Sequence, residues 1–522
     1  PLLYSAAVQL PAIEFRRDFA PIAGLSVLLV VVSAVVLGLF FAWAIPGIGI
    51  PLGIALGAIL SPTDAVATSI AKRLGIAPRV VTLLEGESLL NDATALVLLR
   101  TAIAAIAGGF AFGDTVIAFA WGVGVALFFG GIVGWVNLRV RAWVRHSAAN
   151  TALSFTVPFI AYLPTEHFGG SGLVAAVVAG IVTGQGAARH FTPDQRLSDH
   201  LNWRTIELIL EGAVFLIMGL ELKEIVRQNL EEDQGLWRGA YLALAALGIV
   251  LAIRALYVAG LIWVQGRRAR RHVGYRERAE SASDRLDRFV TKIAEQPEEF
   301  ARGGRPVDPE RVERRVSWMR RRITRSLADL DYYRDSPLGW KHGTVIVWAG
   351  MRGVVTLAAA QTLPREQTTE RALLIFIAFL VAVFSLSIQG LSLSGVVRAL
   401  GLQSEGGEGP SRDEQKELSD ELRGAAQRAV EDDALRRRNG DTFPDGLVRT
   451  VGERIAQAPE DEDGARSRTF IELRLAMIEV MRDRLVELTR DGRFSTAALR
   501  RSLAELDADQ VSLELRLDDG DA

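Results

Sequence analysis

The amino-acid sequence predicts an all-α polytopic membrane protein with a hydrophilic helical insert and a helical C-terminal tail. Three observations predict it. Of 522 residues, 49% are hydrophobic, 49 are glycine and the mean hydropathy is positive at +0.22, a profile far from that of a soluble domain. Apolar windows long enough to cross a hydrocarbon core of roughly 30 Å, about 20 residues as helix, recur along two regions. Charge is concentrated elsewhere: residues 266–336 hold 19 Lys/Arg and 13 Asp/Glu, residues 402–522 hold 19 and 29, and the other 330 residues hold 21 and 19. The divisions that follow are 1–265, first part of a transmembrane domain; 266–336, a basic helical insert; 337–401, the rest of the transmembrane domain; and 402–522, an acidic helical tail.

Ten spans are expected, near 20–45, 47–71, 79–107, 112–138, 149–165, 171–186, 203–222, 238–265, 338–362 and 369–400. Loop charge supports them, because cytoplasmic loops are enriched in Lys and Arg. Arg16 and Arg17, then Lys72, Arg73 and Arg79, then Arg139, Arg141 and Arg145, then Arg189 and Arg196, then "RRARR" at 267–271 fall on one side, and the intervening loops are neutral or acidic. Insert and tail therefore face the cytoplasm of a multi-pass cell-membrane protein. The insert reads as a helical hairpin broken at "GGRPVDP", a solvated excursion whose excess of positive charge also suits anionic lipid. The tail carries an amphipathic pattern at 469–488, and regulation, dimerisation and simple packing are all open to it. With no cysteine, disulfides, thiolate metal sites and Cys nucleophiles are excluded. Nothing supports a nucleic-acid partner. Pro1 lies inside an apolar run with no signal-peptide pattern, and the sequence reads as N-terminally truncated.

The span at 79–107 contains "LLEGESLLNDATALVLL". On a helix advancing 100° per residue, Glu87, Asn91, Ser88 and Asp92 follow one another over roughly 140° and form one polar face. A carboxylate at the centre of a membrane helix costs about 3 kcal/mol even on the lenient insertion scale, so this face must meet protein or water. Asp92 lies roughly 20 Å into the helix, past the midplane, a depth typical of ion and proton pathways. In the preceding span, "LGAILSPTDAVATSIAKRLG", Pro62 removes a backbone donor and disfavours helix at Ser61. A break there, with Thr63 and Asp64 at it, would present backbone oxygens to a small cation; a simple kink capped by Asp64 is the alternative. In "VWAGMRGVVTLAAA", Arg352 stands alone in an apolar segment and needs an anion, for which Glu87 is the first choice, leaving Asp92 free. In "FIAFLVAVFSLSIQGLSLSGVV", polar residues and Gly390 mark a possible second discontinuous helix.

Three motifs in this order, "SPTDAVA" (61–67), "EGESLLNDATALV" (85–97) and "GMRGVVTLAAA" (350–360), resemble the monovalent cation/proton antiporter family that includes bacterial sodium/proton antiporters and animal sodium/hydrogen exchangers. The resemblance covers about residues 1–400. It implies an NhaA-like inverted-repeat antiporter bundle in which two interrupted helices cross, and a homodimer. It implies Asp92 as the carboxylate that takes cation and proton in turn, with Asn91 beside it. Ser88, Thr63 and Asp64 would complete or border the cation site, and Glu87 with Arg352 would be a stabilising ion pair. The Asn-Asp pair implies electroneutral exchange of one Na⁺, or Li⁺ or K⁺, for one H⁺, with no cofactor. Ser5 stands where some bacterial relatives carry an acid, and the family's first helix or two are missing. A K⁺-preferring antiporter, a cation channel and a transport-silent ion sensor are the rival readings. An intramembrane hydrolase is disfavoured, because none of the six histidines lies in the motifs and no glycine-framed nucleophile is present.

Overall fold

A computed structural model describes residues 1–64, 66–108, 112–144, 146–231, 236–295, 332–334, 336–364, 370–402 and 506–514, with isolated residues of the insert and tail. The chain divides into two compact units, Pro1–Glu405 and Gly406–Ala522. In the second, 506–514 is helical. The hairpin expected around 303–309 lies outside the described residues, as does most of the amphipathic pattern at 469–488.

The first unit is helical throughout its regular structure. Its elements are α1 (Leu2–Gln9), α2 (Ala12–Arg17), α3 (Phe19–Ala44, with a π-helical turn at Gly24–Leu28), α4 (Gly49–Ile59), α5 (Val66–Arg73), α6 (Pro78–Gly108), α7 (Phe112–Trp143), α8 (Ser147–His167), α9 (Gly172–His190), α10 (Pro193–Glu231), α11 (Leu236–Glu295), α12 (Trp340–Trp348), α13 (Val354–Gln361) and α14 (Arg371–Leu400, with a π-helical turn at Leu386–Gly390). Each of the ten expected windows falls on one of these helices or on a pair of half-helices. Among the described residues, five helices are long and apolar enough to cross a membrane: Phe19–Ala44, Pro78–Ile106, Ala120–Trp143, Leu236–Arg267 and Arg371–Leu400. Large apolar side chains such as Trp121, Phe128, Trp135, Leu208, Leu220, Leu256 and Trp263 are exposed, an outer surface suited to lipid rather than water.

Packing sorts the helices into two groups. Helices α1, α7, α8, α9 and α10 pack on one another, while α3, α4, α6, α11, α13 and α14, joined by Ile225 of α10, surround a core containing Leu37, Phe41, Leu56, Ile59, Leu373 and Ile377; α12 packs on α11 and α14, with Val345 and Ile346 in a second core beside Ile22, Val80 and Val258. Small residues set the closest approaches, as expected where lipid supplies no hydrophobic drive between helices. A Cβ on Gly57 would collide with the Ala34 carbonyl, and one on Gly53 with the Gly38 carbonyl. We therefore expect Gly57→Leu to separate α3 from α4 and destabilise the protein by about 1–3 kcal/mol or more, read as a lowered melting temperature in detergent.

Helices α4 and α5 are the two halves of the span that Pro62 was expected to break: regular hydrogen bonding stops at Ile59 and resumes at Val66. The second break is not where the sequence placed it. Residues 371–400 stay helical, and the extra residue near Gly390 is absorbed by the π-helical turn. The interruption falls instead between α12 and α13, at Ala349–Gly353, inside the motif that carries Arg352.

Arg79, expected as an exposed loop charge, is buried. It donates from Nε to Asp18 Oδ2 at 3.0 Å, from Nη2 to Asp18 Oδ1 at 2.9 Å and from Nη1 to the Ser336 carbonyl at 2.6 Å. Tyr332, at the end of the insert, donates to Asp18 Oδ2 at 2.9 Å. Burial, and then the Asp18 carboxylate, push the Tyr332 phenol above its usual range, so it stays protonated and donating. These bonds tie the end of the insert to the start of α6.

Candidate functional site

The two breaks meet, and each supplies what the other lacks. A broken helix leaves carbonyls at one half's C-terminus and N–H groups at the other half's N-terminus without partners, a cost that only protein can offset inside a membrane. Asp64 N–H donates to the Met351 carbonyl at 2.7 Å, and Arg352 Nε donates to the Leu60 carbonyl at 3.0 Å. The charges complement the helix ends. Asp64 Oδ1 accepts from Val66 N–H at 3.3 Å, at the N-terminus of α5. The same carboxylate lies so close to Gly353, the residue before α13, that a Cβ there would collide with it. At the opposite ends, Arg352 serves the C-terminus of α4, and Arg254 Nε donates to the Ile346 carbonyl of α12 at 2.9 Å. Gln389 Nε2 donates to the Trp348 carbonyl at 2.9 Å, and Arg352 N–H donates to Ser385 Oγ at 2.9 Å.

Helix α6 lays its polar face against the first of these breaks. Asn91 Nδ2 donates to Thr63 Oγ1 at 2.6 Å, and Ser88 Oγ donates to the Thr63 carbonyl at 3.3 Å. Asn91, Asp92 and Thr63 are buried. Asp64 is within electrostatic reach of Asp92. Among the described residues, Asp92 Oδ1 and Asn91 Oδ1 are buried acceptors without a hydrogen-bond partner, an arrangement that is costly unless something positive or hydrogen-donating comes to meet it. The polar face of α6 and the break it meets thus hold a carboxylate, an amide oxygen, two hydroxyls and a backbone carbonyl, a donor set suited to a hard monovalent cation or a proton.

The ion pair differs from the expected one. Glu87 pairs with Arg254 of α11, whose Nη2 lies 2.8 Å from Oε2 and whose Nη1 bonds Oε1, and both side chains are buried. Arg352 is within electrostatic reach of Glu87, but its donors go to the Leu60 and Gly350 carbonyls. The physical reason is location. Arg352 sits in a helix break, where carbonyls freed by that break take the guanidinium first, whereas Arg254 sits in an unbroken helix with no such oxygen of its own. Gly350 makes room for it, since a Cβ there would collide with Arg254 Nε. Arg254 carried the same signal as Arg352, a lone arginine in "LAIRALYVAG", and the sequence reading passed over it. Glu85, seven residues before Asp92 on α6, forms an ion pair with Lys72 of α5.

The model of the family "Sodium/hydrogen exchanger, transmembrane" matches residues 1–293 and 317–399. The chain is 37% identical over 240 residues to the uncharacterized Na⁺/H⁺ exchanger YjcE of Escherichia coli, covering 44% of each. It is 25% identical over 406 residues to the Na⁺/H⁺ antiporter ApNhaP of Aphanothece halophytica, covering 77% of this chain and 63% of that one. A sodium, potassium, lithium and rubidium/H⁺ antiporter of Bacillus subtilis is 31% identical over 242 residues, 43% of this chain and 35% of the relative. The chain thus spans less than two thirds of the length of these relatives. Among solved structures, the sodium proton antiporter MjNhaP1 from Methanocaldococcus jannaschii shares the fold with a TM-score of 0.51 and 16% identity, covering 76% of this chain and 83% of that one. With the family model matching most of the chain and taking in both helix breaks and the polar face of α6, this chain belongs to the sodium/hydrogen exchanger family of transmembrane proteins.

Proposed function

We propose that the protein is a secondary antiporter of the cell membrane that exchanges Na⁺ for H⁺ at Asp92, one for one, by alternating access. The observation that carries this reading is the meeting of two helix breaks beside a buried carboxylate whose Oδ1 has no hydrogen-bond partner among the described residues. A buried carboxylate of this kind is held at low energy by one positive partner at a time. A proton or a cation serves equally, and both at once leave excess charge in a low-dielectric site. Ser88 Oγ and Thr63, by hydroxyl or carbonyl, stand beside Asp92 and Asn91 as the further oxygens for a cation. Asp64 borders the site, adding negative potential while it caps the half-helices. Glu87 and Arg254 neutralise each other, so Asp92 is left as the titrating group. We read the two crossing breaks as the related elements of an inverted repeat, the group α1, α7–α10 as scaffold and dimer surface, and the insert and tail as cytoplasmic. A K⁺-accepting variant of the same exchange is favoured by one observation, the B. subtilis relative named for sodium, potassium, lithium and rubidium.

The test is exchange driven by a pH gradient in proteoliposomes of the full-length protein, with Na⁺, Li⁺ and K⁺ supplied separately. Competition for one carboxylate makes a quantitative demand. Where the proton holds most of the site, each unit rise in pH lowers the apparent KM for the cation by up to about tenfold with kcat unchanged. A KM independent of pH would exclude a shared site, and flux that does not saturate or needs no opposing gradient would identify a channel.

A further inference from the structure

Glu85 and Lys72 lie outside the site so far described. Glu85 is seven residues before Asp92 on α6, which places the two carboxylates on the same face, about two turns or roughly 10 Å apart. Ser88 lies between them in height and within about 60° of both in direction. Glu85, Ser88 and Asp64 are partly exposed, while Asn91, Asp92 and Thr63 are buried. The polar face of α6 is therefore open at Glu85 and closes toward Asp92. Across from it, α5 presents Ser69, Lys72 and Arg73 as its exposed side. Arg73 is turned back on its own helix, bonding Ser69, and Lys72 reaches across to Glu85 with its side chain 52% exposed and that of Glu85 19% exposed.

We propose that Glu85 and Lys72 form a charge gate at the mouth of the path to Asp92, in which Glu85 is the first carboxylate an entering monovalent cation meets and the Lys72 ammonium is the tethered cation it must displace. The inference rests on Asp92 being the exchange site. The chemistry is ion exchange in miniature. The Lys72 ammonium and the incoming cation compete for the same carboxylate oxygens, and with Lys72 half-exposed the pair is held weakly enough to open. Removing Lys72 leaves Glu85 unopposed and strengthens attraction for cations; removing Glu85 leaves a bare positive charge at the entrance. Because the lysine belongs to one half of the broken helix and the glutamate to the helix that bears Asp92, the gate also senses any movement of α5 against α6.

The experiment measures pH-gradient-driven exchange against cation concentration for the full-length wild type, Lys72→Gln, Glu85→Gln, the charge-reversed double variant K72E/E85K, and Asp92→Asn as control. Lys72→Gln is expected to lower the KM for Na⁺, and Glu85→Gln to raise it, each by about threefold to tenfold with kcat unchanged. The double variant restores an ion pair of opposite polarity and is expected to keep a raised KM, since it puts the lysine on the helix of Asp92. A wild-type KM in the double variant, or in both single variants, would show a staple between helices and overturn the gate. Exchange by Asp92→Asn at the wild-type rate overturns the exchange-site reading and the gate with it, whereas an inactive Asp92→Asn beside unaffected Lys72 and Glu85 variants overturns the gate alone.

Discussion

Replacing Asp92 by Asn is expected to abolish exchange while leaving the fold intact. Asparagine has the same shape and can occupy the same place between α6 and the helix breaks, but it holds neither a titrating proton nor a charge. At about 4 Å and an effective dielectric constant of about 20, a carboxylate and a cation attract by about 4 kcal/mol, so the loss corresponds to roughly a thousandfold in cation affinity. Transport in proteoliposomes should fall to background at every pH and for every cation. A second readout separates loss of binding from loss of folding. Wild-type protein should melt at a higher temperature as Na⁺ is added, by the linkage of binding to stability, and the Asp92→Asn protein should melt normally and ignore Na⁺. Cation-dependent stabilisation that survives in the variant would move the site elsewhere.

The second large effect is expected at Arg254. Its bidentate pair with Glu87 is buried on both sides, and removing one partner of such a pair costs about 3–5 kcal/mol, because the other charge is left in a low-dielectric interior. Arg254→Ala should therefore melt well below the wild type or fail to accumulate. Replacing both members by apolar residues of similar volume, as in Glu87→Leu with Arg254→Met, should recover much of the loss, since the desolvation cost disappears with the charges. A double-mutant cycle decides between the two arginines. Coupling of Glu87 to Arg254 should be about 2 kcal/mol or more, and coupling of Glu87 to Arg352 distinctly smaller. Equal coupling would mean that the two guanidinium groups share the glutamate. Arg352→Ala should be damaging for a different reason, the loss of donors to the Leu60 and Gly350 carbonyls.

Much of this architecture is legible in local chemistry. Pro62 cannot donate a backbone hydrogen bond, so the first break follows from one residue, and the structure has it between Ile59 and Val66. The polar face of α6 follows from helical periodicity alone, and Asn91 and Ser88 do meet Thr63. The second break has no proline. It lies at "GMRG", whose backbone is held by Ser385 and Asp64 and whose arginine side chain bonds the Leu60 carbonyl, and nothing local marks it as different from the "SIQG" stretch that stays helical through a π-turn. Glu85 pairs with Lys72, thirteen residues away along the chain but on a separate half-helix.

The sequence by itself determined which faces must turn away from lipid, where the chain must break first and which residue types gather on the polar face beside that break, because periodicity, proline geometry and the cost of burying charge act over a few residues. Which charge meets which was decided only by the tertiary structure. Glu87 and Arg254 are 167 residues apart, and Leu60 and Arg352 are 292 apart. Two lone arginines competed for the same anion, and the outcome depended on how the two interrupted helices meet and on which guanidinium sits inside a break.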